Sequence, residues 1–117
     1  MDALIGHAHA LVMPSLAEGF GLPVIEAMGH GTPVLTSRGG ALEEVAGGAA
    51  LLVDPEDQAD MAVGIRAIAG EGALGRRLAA AGRARATAFA PAAVTARLAR
   101  VYGDLVALAP PISYRPA

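Results

Sequence analysis

Short apolar runs alternate with helix-like spacing along the first half of the chain. Three runs, at residues 10–14, 33–37 and 49–53, are continuous, of strand length and bounded by turn residues. The segments between and after them repeat apolar residues at intervals of three or four, as amphipathic helices do. This alternation predicts an α/β fold, in which a Rossmann-like parallel sheet of about three strands carries helices on both faces.

Proline and glycine mark the ends of the predicted helices. Pro23 suits the first turn of a helix, where its missing N–H costs nothing, and this helix should run to about His30. Gly31 is placed to cap its C-terminus. A shorter helix is expected over residues 42–46.

Helices are predicted throughout the second half of the chain. Asp54 is expected to cap a helix that has Pro55 in its first position and Asp57 as the acid of a capping box. A further helix is predicted over residues 74–89, with a solvated face that carries Arg76, Arg77, Arg83 and Arg85. Pro91 begins a last helix, whose apolar stripe is expected to join the core: Val94, Leu98, Val101, Tyr102 and Leu105.

The composition indicates one small domain and disfavours several kinds of partner. The 117 residues are 54% hydrophobic and 17% charged, which is typical of a folded domain with a core. A net charge of -2 does not favour binding to nucleic acid or to an anionic membrane, because both are negatively charged. The lack of cysteine excludes disulfides and thiolate metal sites. The sequence has no apolar run long enough to span a membrane and no basic leader, so we expect a cytoplasmic protein. Peripheral membrane contact is the alternative for a longer polypeptide that includes this sequence.

The segment EGFGLPVIE, residues 18–26, contains the candidate ligand-binding residues of the predicted fold. It follows a predicted strand and opens a helix, so it should lie at the carboxyl edge of the sheet, where open α/β folds bind ligands. The first N–H groups of a helix have no internal partner, and Gly19 and Gly21 would let a diphosphate approach them. Glu18 and Glu26 would lie to either side and accept hydrogen bonds from sugar and ribose hydroxyls. The plainer alternative is a helix start with turn glycines and an acid near the helix dipole.

Other polar residues carry weaker indications. His7 and His9 have the spacing of a metal pair on a strand, but no third ligand is apparent, so no metal site is expected. Arg38 is interpreted as a solvated turn residue. Glu43 and Glu44 begin a short helix, where acids are favourable.

The segment PSLAEGFGLPVIEAMGHGTPVLTSRGGALEEV resembles the donor-binding signature of the retaining family-four, or group 1, glycosyltransferases. The match combines the two glutamates, the GFGLP turn between them, the EAMxxGTPV stretch and the double glycine before the next acids. It extends over about residues 4–108. The resemblance implies a GT-B fold, with two Rossmann-like domains facing a cleft. This sequence would be the second half of the C-terminal domain. In that architecture the last helix often crosses back to the other domain, which would leave part of its apolar stripe exposed here. The resemblance also places the loop at Glu43 and Glu44 near the cleft, so a contact of these acids with the sugar donor or the acceptor is a secondary hypothesis.

The resemblance also implies roles for individual residues. Glu18 would contact hydroxyls of the transferred sugar, and Glu26 would bind the ribose. The backbone amides between them would bind sugar and diphosphate: Gly19, Phe20, Gly21 and Leu22. Glu18 is then the catalytic residue in the sense that it orients the donor and supports charge on the sugar, because retaining transfer in this family is discussed without a protein nucleophile. The family generally uses no metal, so no cofactor is expected beside the nucleotide-sugar donor.

The family's catalytic unit is much longer than 117 residues. The acceptor domain and the first half of the donor domain have no counterpart here. We therefore expect a partial nucleotide-sugar-binding domain over residues 1–109 and an irregular tail over residues 110–117. The first strand would lack one neighbour, which predicts an open apolar edge and self-association. The chain should need a partner that supplies the acceptor domain, and no turnover is expected from it alone.

Three alternatives remain open at the level of sequence. A non-catalytic remnant or interaction module would keep the fold without group transfer. A dinucleotide-binding oxidoreductase fragment is disfavoured because no G-x-G-x-x-G follows a strand and the glutamates have no role in it. A sugar-nucleotide epimerase of similar architecture is disfavoured by the GFGLP turn. The base, the sugar and the acceptor are not determined by these motifs.

Overall fold

The computed structural model describes residues 2–70 and 72–108. The described elements, in chain order, are α1 (Asp2–Gly6), β1 (Leu11–Met13), α2 (Leu22–His30), β2 (Val34–Ser37), α3 (Gly40–Ala46), β3 (Leu51–Val53), α4 (Gln58–Ala69), α5 (Ala73–Ala86), the 3-10 helix η1 (Thr87–Phe89) and α6 (Pro91–Leu108). None of the described helices combines the length and the apolar character needed to span a bilayer. The tail expected over residues 110–117 lies outside the described residues.

The strands form one parallel sheet in the order β1–β2–β3, so the predicted sheet is confirmed. Leu11 pairs with Val34 in the first ladder, and Leu35 pairs with Leu51 in the second. β1 therefore lies at an edge and has no second neighbour among the described residues. Val12 at its centre is 42% exposed. The first strand is thus less buried than its apolar run alone predicts.

Alternate side chains of β2 build a core on each face of the sheet. Val34 joins a cluster with buried residues of α1, α2 and α3, which include Ile5, Val24, Met28 and Leu42. Leu35 points to the other face, where it packs with Val53, Ile68 and Leu78. Helices therefore cover both faces, as the alternation of strands and helices predicts.

Helix α2 has the predicted start and end. It begins at Leu22, with Pro23 in its first turn, and ends at His30. Gly31 follows with a φ of 76°, in the left-handed region that a C-terminal cap of this type requires. Its N–H donates to the carbonyl of Met28 at 3.0 Å. Local sequence signals were sufficient here because both ends are set by residues with restricted or unusual backbone preferences.

The start of α4 differs from the prediction, because Asp57 is the N-cap in place of Asp54. The Asp57 carboxylate accepts from the N–H groups of Ala59 at 2.8 Å and Asp60 at 3.2 Å. Asp54 instead closes a turn, in which its carboxylate accepts from the N–H of Glu56 at 2.9 Å. That turn delays the start of the helix to Gln58.

Arg85 of α5 is partly buried and caps α3, which corrects its assignment to a solvated face, whereas Arg83 reaches the end of α2 and stays exposed as predicted. Arg85 donates from Nε to the carbonyl oxygen of Val45 at 2.9 Å and from Nη2 to that of Glu44 at 2.8 Å, at the end of α3. Nη2 of Arg83 lies 3.5 Å from the carbonyl oxygen of His30, at the end of α2. Such carbonyls have no partner within their helix and carry the negative end of its dipole. The other two arginines of this face are exposed, as predicted.

Helix α6 leaves its apolar stripe exposed. α5 ends at Ala86, and η1 continues to Phe89, where a single helix was predicted. α6 packs against η1, and none of the residues described for α6 is buried. The stripe is 39% to 65% exposed: Val94, Leu98, Val101, Tyr102 and Leu105. The prediction that it joins the core was wrong, and the observed exposure agrees with the alternative that the resemblance implies, because no described element covers this face of the helix.

Candidate functional site

The loop over residues 15–21 joins β1 to α2, and β2 holds its start. Ser37, at the end of β2, is 2% exposed. Its hydroxyl accepts from the N–H of Ser15 and donates to the carbonyl of Ser15, both at 2.6 Å. The Thr36 hydroxyl donates to the carbonyl of Met13 at 3.0 Å. These bonds hold the loop at the carboxyl edge of the sheet, where the sequence predicts it.

The turn into α2 requires glycine at position 21. Gly21 has a φ of 76°, a conformation that side chains with a Cβ rarely adopt. A Cβ at this position would also lie 2.6 Å from Cδ2 of Leu42, which is buried. Gly19, in contrast, has open space where its Cβ would be. The two motif glycines therefore differ, since the fold constrains Gly21 far more than Gly19.

The N-terminus of α2 presents free backbone donors. No side chain caps this helix. The carboxylate of Glu18 accepts from the N–H of Gly19 at 3.1 Å. Within residues 2–70 and 72–108, the amides of Phe20, Gly21 and Leu22 have no hydrogen-bond acceptor. Together with the positive end of the helix dipole, these amides favour an anion.

Glu18 lines a groove between its own loop and the start of α3. The groove has a volume of about 190 Å³, and its other wall is formed by Gly39, Gly40, Ala41 and Leu42. The carboxylate of Glu43 accepts a hydrogen bond from the N–H of Gly39. Glu43 thus stabilises the start of α3, which agrees with its interpretation from sequence.

Glu26 lies one turn into α2 and faces a different cavity. It is exposed, and it lines an apolar cavity of about 470 Å³ together with Leu4, Ile5, Ala8, Leu11, Leu22 and Pro23. Glu18 is on the α3 side of the turn, and Glu26 is on the α1 side. The structure therefore brings each glutamate next to the turn and places the two in separate cavities.

Phe20 has an aromatic partner that sequence reasoning missed. Its ring is 52% exposed and packs edge to face against Phe89 of η1, with ring centroids 6.1 Å apart and planes at 81°. The guanidinium carbon of Arg85 lies 5.0 Å from the centroid of the Phe89 ring. From sequence Phe20 was assigned only a backbone role. No local signal links it to Phe89, because the two lie far apart along the chain.

The remaining candidates lie outside this turn. Arg38 is 59% exposed and its Nη2 lies 3.9 Å from the carboxylate of Asp60, which agrees with a solvated turn residue. Nδ1 of His7 lies 2.7 Å from the carbonyl oxygen of Ala3. In the described part of the chain, no three His, Cys, Asp or Glu side chains come together as a metal-binding group.

Known proteins resemble this chain in sequence. A family model described as glycosyl transferases group 1 matches residues 1–71. The MMP alpha-(1->4)-mannosyltransferase of Mycolicibacterium hassiacum is 39% identical over 111 residues, which cover 92% of this chain and 27% of that protein. The glycogen synthase of Mycobacterium tuberculosis is 38% identical over 103 residues, which cover 86% of this chain and 25% of that protein.

The fold resembles a solved structure as well. Sucrose-phosphate synthase from Thermosynechococcus elongatus superimposes with a TM-score of 0.74 at 37% identity, over 87% of this chain and 26% of that one. The chain thus spans about a quarter of the length of the proteins that it matches. The family match and the shared fold together show that the chain belongs to the group 1 glycosyl transferases and corresponds to one part of a larger GT-B enzyme.

Proposed function

We propose that this chain binds the nucleotide-diphosphate-sugar donor of a retaining glycosyltransferase. One observation carries the proposal: amides without acceptors at the N-terminus of α2 have a carboxylate on each side, Glu18 toward α3 and Glu26 toward α1. An anion and two sets of hydroxyl groups would satisfy this arrangement, and a nucleotide sugar contains both.

The diphosphate would bind the amides of Phe20, Gly21 and Leu22. The end of the helix dipole would stabilise its charge, so the proposal needs no metal ion. Glu26 would accept hydrogen bonds from the ribose hydroxyls. Glu18 would accept them from the transferred sugar, in the groove beside Gly39 and Gly40, since carboxylate hydrogen bonds of this kind are stronger than neutral ones.

The proposed reaction is transfer of a hexosyl group with retention of configuration. The bond between the anomeric carbon and the diphosphate oxygen breaks, and the leaving diphosphate takes the electron pair. The free amides of α2 would stabilise that charge as it develops. An acceptor hydroxyl attacks the same face of the sugar, and its proton passes to the leaving phosphate oxygen. Glu18 orients the donor and supports positive charge on the sugar, so no covalent intermediate with the protein is required.

Acceptor binding would come from a domain outside this chain, as a further segment or a partner polypeptide. Accordingly, the chain by itself would bind the donor without turning it over. The names of the relatives describe mannosyl transfer, glycogen synthesis and sucrose-phosphate synthesis. These names support a hexosyl donor and leave the base open.

A ligand-detected NMR titration with UDP-, GDP- and ADP-sugars tests the proposal. The wild-type chain should bind one of them saturably. Glu18→Gln and Glu26→Gln keep the side-chain shape and remove the charge, so each should weaken binding about tenfold, the equivalent of one charge-assisted hydrogen bond. Asp104→Asn is the matched control, because it removes a carboxylate from exposed α6 and should leave the affinity unchanged. Equal weakening in all three variants would contradict the assigned roles.

An interaction module without donor binding is the second candidate. The exposed stripe of α6 and the open edge of β1 favour it, since both are surfaces that a partner can cover. The same titration separates the two candidates. A chain that is folded by circular dichroism and binds none of the three donors would support the interaction module.

A further inference from the structure

We propose that Phe89 is a positioning residue for the donor-binding turn and acts through the ring of Phe20. This inference rests on the proposed function, because it concerns the same turn. It adds a residue of η1 that is distant from the turn along the chain and would not contact the donor itself.

The loop that carries the turn has few contacts to the rest of the domain. Ser37 holds its first residue, Ser15, and buried Gly21 ends it. The residues between, 16–20, are all exposed. The hydrogen bonds within this stretch are local, such as the one between Ser15 Oγ and the carbonyl of Ala17 at 2.9 Å. The edge-to-face contact with Phe89 is therefore what ties the end of the stretch to another element.

Phe89 is itself firmly held. It is half-buried and packs against the core cluster that contains Val24 and Met28. Arg85 lies over its ring at 5.0 Å, and that guanidinium is fixed by two hydrogen bonds to the end of α3. A cation over an aromatic face is an attractive contact. The ring of Phe89 is thus a fixed surface against which Phe20 rests.

The position of the Phe20 ring matters because its backbone carries a donor. The amides of Phe20 and Gly21 are two of the free N–H groups at the start of α2. If the ring of Phe20 loses its support, the backbone of Phe20 can turn, and its N–H no longer points where the diphosphate would lie. An edge-to-face pair changes an equilibrium by a factor of about 2 to 10, so donor binding should weaken by that factor.

Three variants separate positioning from core packing. Phe89→Leu keeps apolar volume in the core and removes the ring. Phe89→Tyr keeps the ring and is the conservative control. Phe20→Leu removes the other half of the pair from an exposed position, which leaves the core untouched. If Phe89 acts through Phe20, the double variant should bind the donor no more weakly than Phe20→Leu alone.

The experiment combines two readouts on the full chain. In the free protein, 15N order parameters of the amides at residues 19–22 should fall in Phe89→Leu and stay near their wild-type values in Phe89→Tyr. Donor titrations should then show a two- to tenfold loss for Phe89→Leu, recovery in Phe89→Tyr and no added loss in the double variant. Unchanged order parameters at 19–22 in Phe89→Leu, or additive losses in the double variant, would overturn the proposal. If the wild type binds no donor, the proposed function fails, and the order parameters of the free protein alone decide whether Phe89 holds the turn.

Discussion

Replacing Gly21 with alanine tests the geometry on which the site depends. Alanine at a left-handed φ of 76° costs about 1–2 kcal/mol. Its Cβ would lie 2.6 Å from Leu42 Cδ2, and relieving such overpacking in a core costs about 1–3 kcal/mol. Alanine also lowers the conformational entropy of the unfolded chain, which stabilises the folded state by about 0.5 kcal/mol. We expect the variant to lose about 2–4 kcal/mol of its free energy of unfolding.

Urea denaturation followed by circular dichroism measures this loss. With a slope of about 1.5 kcal/mol per molar urea, the midpoint should fall by about 1–3 M. Gly19→Ala is the matched control two residues away, because open space surrounds its Cβ position and its φ lies outside the left-handed region. It should change the free energy of unfolding by less than about 0.5 kcal/mol. Equal losses in both variants, or none in Gly21→Ala, would refute the geometry of the turn.

Three further predictions concern the rest of the fold. Asp57→Ala should lower the free energy of unfolding by about 1 kcal/mol through loss of the α4 cap, and Glu56→Ala should change it little; thermal denaturation compares them. Arg85→Ala should cost about 1–3 kcal/mol in urea denaturation because two α3 carbonyls lose their donor, and exposed Arg76→Ala should be nearly neutral. The chain should self-associate through β1, so sedimentation should show a mass that rises with concentration, and Val12→Lys should abolish the rise. A wild-type mass independent of concentration would rule out that edge contact.

Local sequence signals were enough to predict the parallel sheet and the motif helix. The strands are short continuous apolar runs, and their connections each contain a helix, so a parallel sheet follows. Pro23 and Gly31 have strong backbone preferences, and they mark the helix ends without help from tertiary contacts. Asp54 and Asp57 show the limit of this approach. Both are good caps by type, and only the turn that Asp54 closes decides between them.

Contacts between distant segments could not be predicted from these patterns. The caps that Arg83 and Arg85 provide depend on how α5 lies beside α2 and α3, and an arginine on a helix gives no sign of this. The contact of Phe20 with Phe89 has the same origin. The stripe of α6 was predicted to make a contact that the described structure lacks. An amphipathic pattern predicts that one face of a helix is covered, but it does not indicate which element covers that face.

The most direct test of the proposed donor site is a map of amide shifts in the folded chain. Spectra labelled with 15N would be recorded during titration with the UDP-, GDP- and ADP-sugars. We predict that the amides of Phe20, Gly21 and Leu22 shift together and saturate at one affinity with one of the donors, while amides of α6 stay unchanged. Saturable shifts confined to another surface, or none at these three amides in a folded chain, would contradict the assignment of the α2 N-terminus as the diphosphate site.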